Sequence, residues 1–363
     1  MKTLIAVTLA AVYGLVTRLM FGFLDNTTEI MSVTFLFVVP LVIGFLTVLL
    51  IPTEKTTSGT AAFFKPWLTS LVLLFITLLF NIEGLTCWIM LFPLFATLAG
   101  IGGLIAYHYK KSRTLEAVGS ATMAWQKPNT LNVSLVFILP IALGSLEGGR
   151  AWTPQEITIR EQLTIEAPVA SVWQVLAGKR VVSHQLKRPL SSSLLGFPRH
   201  IATALDTLAV GGTRVSYYDS YYEKGLHFQE KVVRLEKERL LTFSVKTDPG
   251  QFPPTIMDEH ILIGGKHLDI LDDTYQFQAL ADGTTRVTLS SRFYINTPFN
   301  WYARIWANYL MSDILQGELY SVRERAMGAK LPIAFSDFDS GSKSAEKRHR
   351  RSHDSGPAGA RQH

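Results

Sequence analysis

The sequence predicts a membrane-embedded α-helical bundle of about five spans, followed by an α+β domain of antiparallel strands on which a long C-terminal helix packs. Three observations carry this reading. Apolar runs fill the chain to about residue 149, while most of the charged residues follow Arg150. Segments after residue 155 alternate apolar and polar residues, the period of a half-buried strand. From Asn300 to Met327, apolar side chains recur at three and four, the period of an amphipathic helix.

The averages conceal the split. A mean hydropathy of +0.20 with 48% hydrophobic and 18% charged residues is the mean of two unlike halves, and 363 residues suffice for two domains. The single cysteine, Cys87, sits in an apolar run and excludes an internal disulfide and a multi-cysteine metal site.

Apolar segments lie near residues 3–23, 30–51, 66–82, 84–107 and 130–146. Each approaches the length of a helix crossing about 30 Å of hydrocarbon. The fifth has the shortest apolar centre, Val133 to Leu143 around Pro140. The run from Pro66 to Tyr107 exceeds one span, and Asn81-Ile82-Glu83-Gly84 supplies the turn that divides it into a hairpin. Lys2 before an apolar run also opens a signal peptide. Here the run continues past Arg18 to Leu24, no small-x-small cleavage site follows, and further spans come after. Arg18, late in the first span, reads as an anchor whose stem snorkels to the interface.

Loop charges orient the bundle. Lys55 and Lys65 follow the second span, and Lys110, Lys111, Arg113 and Lys127 follow the fourth. Lys and Arg are retained on the cytoplasmic side, so these loops and the N-terminus are placed inside. The alternate connections carry Asp25, Glu29 and Glu83 and no Lys or Arg. With five spans the domain after Gly149 falls outside; with four it falls inside. Ionisable groups within the spans reduce to Arg18 and Glu83, too thin a set for a transport pathway. Ala96, Gly100, Gly102 and Gly103 suit close helix packing instead.

The soluble part opens on a strand in which Ile157, Ile159, Leu163 and Ile165 alternate with polar residues and only Glu161 is out of phase. Ala167-Pro168 ends it, and Val169, Val172, Trp173 and Leu176 follow at helical spacing. Residues 179–198 read as a short helix and loops. Strands follow at Thr213 to Asp219, His227 to Leu235 and Leu240 to Lys246, before a proline-rich loop from Asp248 to Pro254. A hairpin, Asp273 to Leu280 and Thr284 to Ile295, turns at Ala281-Asp282-Gly283. The closing helix presents Trp301, Ile305, Trp306, Tyr309, Leu310, Ile314, Leu315, Leu319 and Val322 as its apolar set. Arg304, Asp313, Glu318, Arg323 and Glu324 are assigned to the other side. Residues 332–363 are basic and polar and are expected to be disordered.

Several motifs, taken in order, carry a resemblance. They are Ile-Glu-Ala-Pro-Val at 165–169, Val172-Trp173, Asp258-Glu259-His260 before Gly264-Gly265, Asp282-Gly283-Thr284-Thr285-Arg286, and Asn300-Trp301-Tyr302 with Trp306. Over about residues 156–328 the chain resembles the SRPBCC superfamily, the START-like and polyketide-cyclase-like helix-grip proteins, and bacterial members with an N-terminal membrane region. The resemblance implies a curved sheet gripping the long helix around a cavity for an apolar molecule. The domains are then a membrane region over 1–149, a grip domain over 152–328 and a tail over 332–363. Cavity candidates that strand alternation and helix phase point inward are Trp173, Tyr217, Phe243, Tyr275, Phe277, Phe293, Trp306 and Tyr309. Each also suits an ordinary core.

Other constellations point less far. Asp258, His260, His267, Asp269, Asp272 and Asp273 bring oxygen and nitrogen donors into one stretch, but the spacing matches no zinc pattern and solvated strand ends explain them. No metal or other cofactor is expected. His184 and His200 read as surface residues, and His227 with Glu230 as a candidate acid and base pair. No nucleophile elbow, phosphate-binding glycine loop or Cys/His pairing occurs. The expected function is therefore noncatalytic, a membrane-anchored binding domain for an apolar small molecule or lipid. A cyclase-like or dehydratase-like enzyme using the same cavity and an envelope scaffold without a ligand are the alternatives. The expected partners are the lipid bilayer and that ligand, with no nucleic acid. The expected location is a bacterial inner membrane, with the soluble domain outside the cytoplasm.

Overall fold

The computed structural model describes residues 2–23, 32–80, 82–119, 130–147, 153–178, 180–182, 200–218, 226–248 and 263–328, with Ser192, Leu195 and Phe197. The tail after residue 332, His184, Asp258, His260 and most of the loop expected over 248–254 lie outside these residues.

Helix α1 covers Lys2–Phe23, and a π-helical turn, Thr34–Val38, runs into α2, Val39–Leu50. Pro40 offers no N–H to the carbonyl of Leu36, so the regular ladder is already interrupted where the π turn stands. The next helices are α3, Gly59–Leu79, whose N-cap Ser58 accepts from the Ala61 N–H, then α4, Leu85–Gly119, and α5, Thr130–Glu147. Among the described residues three helices, not five, are long and apolar enough to cross a membrane: Lys2–Phe21, Gly59–Leu79 and Leu85–Ser112. The helix over Thr34–Leu50 is shorter, and so is the described apolar part of the fifth, Ile138–Glu147.

The bundle is close-packed through glycine, as the small residues of α4 led one to expect. A Cβ on Gly44 would stand 1.8 Å from the Ala99 carbonyl oxygen, and one on Gly102 would stand 2.0 Å from that of Leu41. The backbones of α2 and α4 touch at these two points, which no side chain permits. Gly102→Ala is therefore expected to part the helices and cost at least about 1–3 kcal/mol. Gly59→Ala, whose Cβ would meet only a Leu104 methyl at 3.6 Å, should be silent. Size-exclusion profiles and thermal melts in detergent check both variants.

Two charged contacts mark the ends of the bundle. At one end the Lys110 ammonium donates to the carbonyls of Val48, Leu49 and Ile51 at 3.1, 3.2 and 2.5 Å, satisfying the last turn of α2. At the other, Arg18 pairs with Glu83, each about nine-tenths buried. Arg18, expected to reach toward an interface, meets there the carboxylate that the α3–α4 turn brings to it. Glu147 at the end of α5 accepts from the Thr34 hydroxyl at 2.7 Å and the Thr34 amide at 3.1 Å.

Eight strands follow: β1 Gln155–Ile165, β2 Arg180–Val182, β3 His200–Leu205, β4 Thr213–Tyr218, β5 Leu226–Glu236, β6 Leu240–Lys246, β7 Leu268–Ala279 and β8 Thr285–Ile295. Helix α6, Val169–Ala177, lies between β1 and β2, and α7, Asn300–Ala326, closes the chain. The sheet order is β1-β8-β7-β6-β5-β4-β3-β2, every neighbour antiparallel. The first strand thus joins the last, and α7 packs back across both. Gly283, at φ 82°, makes the β7–β8 turn, where Asp282 accepts from the Thr284 amide and hydroxyl. Residues 180–182, within the stretch read as a short helix and loops, form an edge strand with Val181 opposite Thr203. Three residues are too few to show a period.

The main core joins α6, the sheet and α7 through Val172, Trp173, Leu241, Phe243, Leu289, Leu315, Leu319 and Val322. A second cluster sets Phe293 and Ile157 against Ala303, Ala307 and Met311 of α7. The apolar set of α7 is broader than the face that buries. Leu310, Leu315, Leu319 and Val322 are buried, but Trp301, Ile305 and Tyr309 are exposed. At 100° per residue Trp301 stands in line with Leu319, so its place in the first turn and not its angle leaves it uncovered, whereas Tyr309 is turned well away from Leu315 and Val322. The polar assignments of Asp313 and Glu318 are corrected too. Asp313 accepts from the Ser192 amide and hydroxyl at 2.8 and 2.7 Å, and Glu318 turns inward.

Candidate polar site inside the helix grip

Strand phase delivers a row of charged and hydroxyl groups to the face that α7 covers. On β4 and β5 the buried positions are even-numbered: Arg214 and Ser216, then Leu226, Phe228, Glu230 and Val232. Arg214 stands opposite Glu230 in register and forms an ion pair with it, their side chains 6% and 3% exposed. Ser216 donates to the other oxygen of Glu230 at 2.6 Å. The Arg214 guanidinium lies 3.6 Å above the centre of the Phe243 ring, which is fully buried on β6. Phe243 is opposite Asp273 on β7, and Asp273 is opposite Ser291 on β8.

Helix α7 completes the site from above. Glu318 receives His200 Nδ1 at 3.0 Å and the Tyr275 hydroxyl at 3.4 Å, with the Arg325 guanidinium at 3.8 Å. His200 Nε2 faces the Ala202 carbonyl at 3.1 Å, so both ring nitrogens face oxygen acceptors. Glu161, read as out of phase, is in phase with its inward neighbours. It meets Ser312 and Gln316 of α7.

Burial and neighbours push these groups apart. Burial raises the Asp273 carboxyl to about 7, Glu230 adding to the rise while Arg214 moderates it. Burial would also raise Glu318, but His200, Arg325 and Arg214 together hold it at about 2. The Tyr275 and Tyr218 phenols are pushed up, by burial first and then by the nearby carboxylates. Asp273 Oδ1, Ser291 Oγ, Ser321 Oγ and both terminal nitrogens of Arg325 are buried without a hydrogen bond among the described residues.

A pH dependence follows. In the folded chain Asp273 holds its proton to about pH 7, against an ordinary 3.8. Below about pH 4 both states are protonated and its contribution is whole. Stability then falls as pH rises toward 7, because only the unfolded carboxyl ionises. Asp273→Asn should abolish that fall and leave the variant on the order of 2–4 kcal/mol more stable than the parent at neutral pH. Denaturant midpoints at pH 5 and pH 8 check the sign.

The structure brings four of the eight aromatic candidates into the main core: Trp173, Phe243, Tyr275 and Phe277, with Trp173 and Phe277 edge to face at 5.4 Å. Phe293 is buried in the neighbouring cluster. Tyr217 points to the other face, beside the His227 ring at 6.3 Å, since odd positions of β4 face away from α7. Trp306 is half-buried and Tyr309 is 51% exposed, the two rings edge to face at 6.4 Å. His227 and Glu230 are not a pair, because three residues along a strand change the face. Among the donor-rich residues, Asp272 pairs with Arg292, His267 meets the Asn296 carbonyl at 2.8 Å, and Asp273 turns inward. Arg214, Ser216, Glu318 and Arg325 escaped the sequence reading. The signal was present: Arg214 and Ser216 share parity along β4, and Glu318 and Arg325, seven apart, share a face with Leu315, Leu319 and Val322.

The bundle holds a separate cavity of about 40 Å³, lined by Arg18, Glu83, Thr77, Cys87, Trp88 and other apolar side chains. That is room for a few waters beside the ion pair.

The strand order, with a long helix laid across the sheet, defines a helix-grip architecture behind a group of apolar helices. No family model matches the chain, and no curated protein does. Among solved structures it is similar to a truncated norcoclaurine synthase from Thalictrum flavum, at 12% identity over 50% of this chain and 99% of that one, TM-score 0.32. It is similar also to the Zhui aromatase/cyclase of a Streptomyces species, at 13% identity over 48% and 94%, TM-score 0.31. A protein of Arthrobacter aurescens gives 14% identity over 49% and 90%, TM-score 0.31.

Proposed function

We propose that the chain is a membrane-anchored binding domain for a small molecule with an apolar body and a polar head, held in the helix grip without chemical change. One observation carries this reading: the buried row from Arg214 to Ser291 has hydrogen-bonding capacity that its own residues leave unused, at Asp273, Ser291 and Arg325. Each unpaired buried group costs about 1–3 kcal/mol, a cost that a bound polar head removes. The apolar body would meet the aromatic core beside the row.

The boundaries proposed are a bundle over 1–149 and a grip over 152–328. Three apolar helices of spanning length support the anchor. The side of the grip is supported by the end at which it docks. In the first turns of α4 the Thr86 hydroxyl donates to the Leu195 carbonyl and the Met90 carbonyl accepts from Tyr302, whereas Lys110 lies at the opposite end. The grip therefore stands away from the basic loops, which favours the extracytoplasmic side of a bacterial inner membrane.

Ser291→Val tests the reading, since it removes an orphan hydroxyl and adds a methyl to the row. A binding site should lose ligand, read as copurifying small molecules in native mass spectrometry of the detergent-solubilised protein. A ligand-free scaffold should only gain stability, and no molecule should copurify with the parent. The enzymatic alternative is favoured by the near-neutral Asp273 carboxyl beside Ser291 and Tyr275. A change in mass of the bound molecule on incubation would select it.

A further inference from the structure

Helix α7 begins against the bundle. Phe299, Tyr302 and Ala303 pack with Phe35, Trp88 and Leu91, and the Tyr302 hydroxyl donates to the Met90 carbonyl. Met90 lies five residues into α4, about 7–8 Å along the helix from Leu85. The start of α7 is therefore level with the first turn and a half of an apolar span, the depth of the headgroup layer and its boundary with the acyl chains. On the adjoining face Trp301, Ile305 and Tyr309 follow one another at four-residue spacing and are 61%, 58% and 51% exposed. Farther along that face the positions are polar, Ser312 and Gln316 meeting Glu161 of β1, so the apolar exposed part is confined to the turns beside the bundle.

We infer that the first turns of α7 lie in the interfacial layer of the bilayer that the bundle crosses, with Trp301, Ile305 and Tyr309 entering it. Indole and phenol rings are the side chains that favour this layer, with an apolar body in the acyl boundary and a polar tip among headgroups. The stripe is continuous with the contact between α7 and α4, which sets its depth. The lipid layer is thereby its occupant rather than a soluble partner. The inference rests on the membrane reading of the bundle. It adds that the helix closing the grip is held by lipid at its start, so that an amphiphilic ligand would reach the grip from the bilayer surface.

Nitroxide labels test it in the full chain, reconstituted in phosphatidylethanolamine–phosphatidylglycerol vesicles with Cys87→Ser as background. Labels are placed by Trp301→Cys, Ile305→Cys and Tyr309→Cys, with Phe75→Cys on the exposed face of α3 as the lipid reference and Lys237→Cys in the β5–β6 turn as the aqueous one. The ratio of collision with oxygen to collision with a water-soluble nickel complex is read at each site. At 301 and 305 it should exceed the Lys237 value several-fold and fall short of the Phe75 value. Values at 301 and 305 equal to that at Lys237 would overturn the inference, and so would exclusion of both reagents, which means protein covers the stripe. An aqueous value at Phe75 as well would instead sink the membrane reading beneath it.

Discussion

Arg214→Ala should destabilise the protein by about 3–5 kcal/mol, the loss expected when one partner of a buried ion pair is removed and the other stays. Glu230, 3% exposed, would keep only Ser216 as its donor, and Phe243 would lose the guanidinium on its face. The cost arises from the stranded carboxylate more than from the vanished attraction. Replacing both partners, Arg214→Met with Glu230→Leu, should accordingly recover most of the loss, since two charges need no longer be stripped of water. A double-mutant cycle by chemical denaturation measures this, and coupling below about 0.5 kcal/mol would show that the two residues do not act as one buried unit.

Phe243→Ala should cost about 3–5 kcal/mol from lost burial and the void left behind. It should cost about 1–2 kcal/mol more from the cation held on its face. Its ring is wholly buried, edge to face with Tyr275 at 6.4 Å and packed under Leu315 and Leu319 of α7. Phe243→Leu keeps most of the volume and should lose about half as much. A ring that bordered an open ligand pocket would already be poorly packed, and its truncation would cost far less. A small loss in Phe243→Ala, measured beside Leu289→Ala as a core standard, would therefore move the ligand from the polar row to the aromatic core.

Much of the fold was legible because it depends on period. The apolar runs marked the helices, and alternation in β1 and β8 marked those strands with their inward faces. The hairpin at Gly283 followed from turn chemistry. The polar site was less legible, because a charge standing in phase with apolar residues reads as an exception until the strand's neighbours are known. Glu161 was set aside as out of phase, and Arg214 and Glu318 were assigned to no site, although each lies on the buried side. The aromatic candidates divided on parity and rotation: Tyr217 by an odd position on β4, Tyr309 by its angle on α7.

The sequence by itself determined what each segment is, because hydrophobic period and turn residues act over a few neighbours and need no partner. Only the tertiary structure decided what each segment faces. Register placed Arg214 against Glu230 and Asp273 against Ser291, and the path of α7 brought Glu318 to His200. The turn after α3 gave Arg18 its carboxylate, and the docking of Tyr302 on α4 selected the end of the bundle at which the grip stands. These are pairings between residues from 16 to 212 positions apart. A buried charge is tolerable only with its partner in place, so its meaning could not be read before the partner was found.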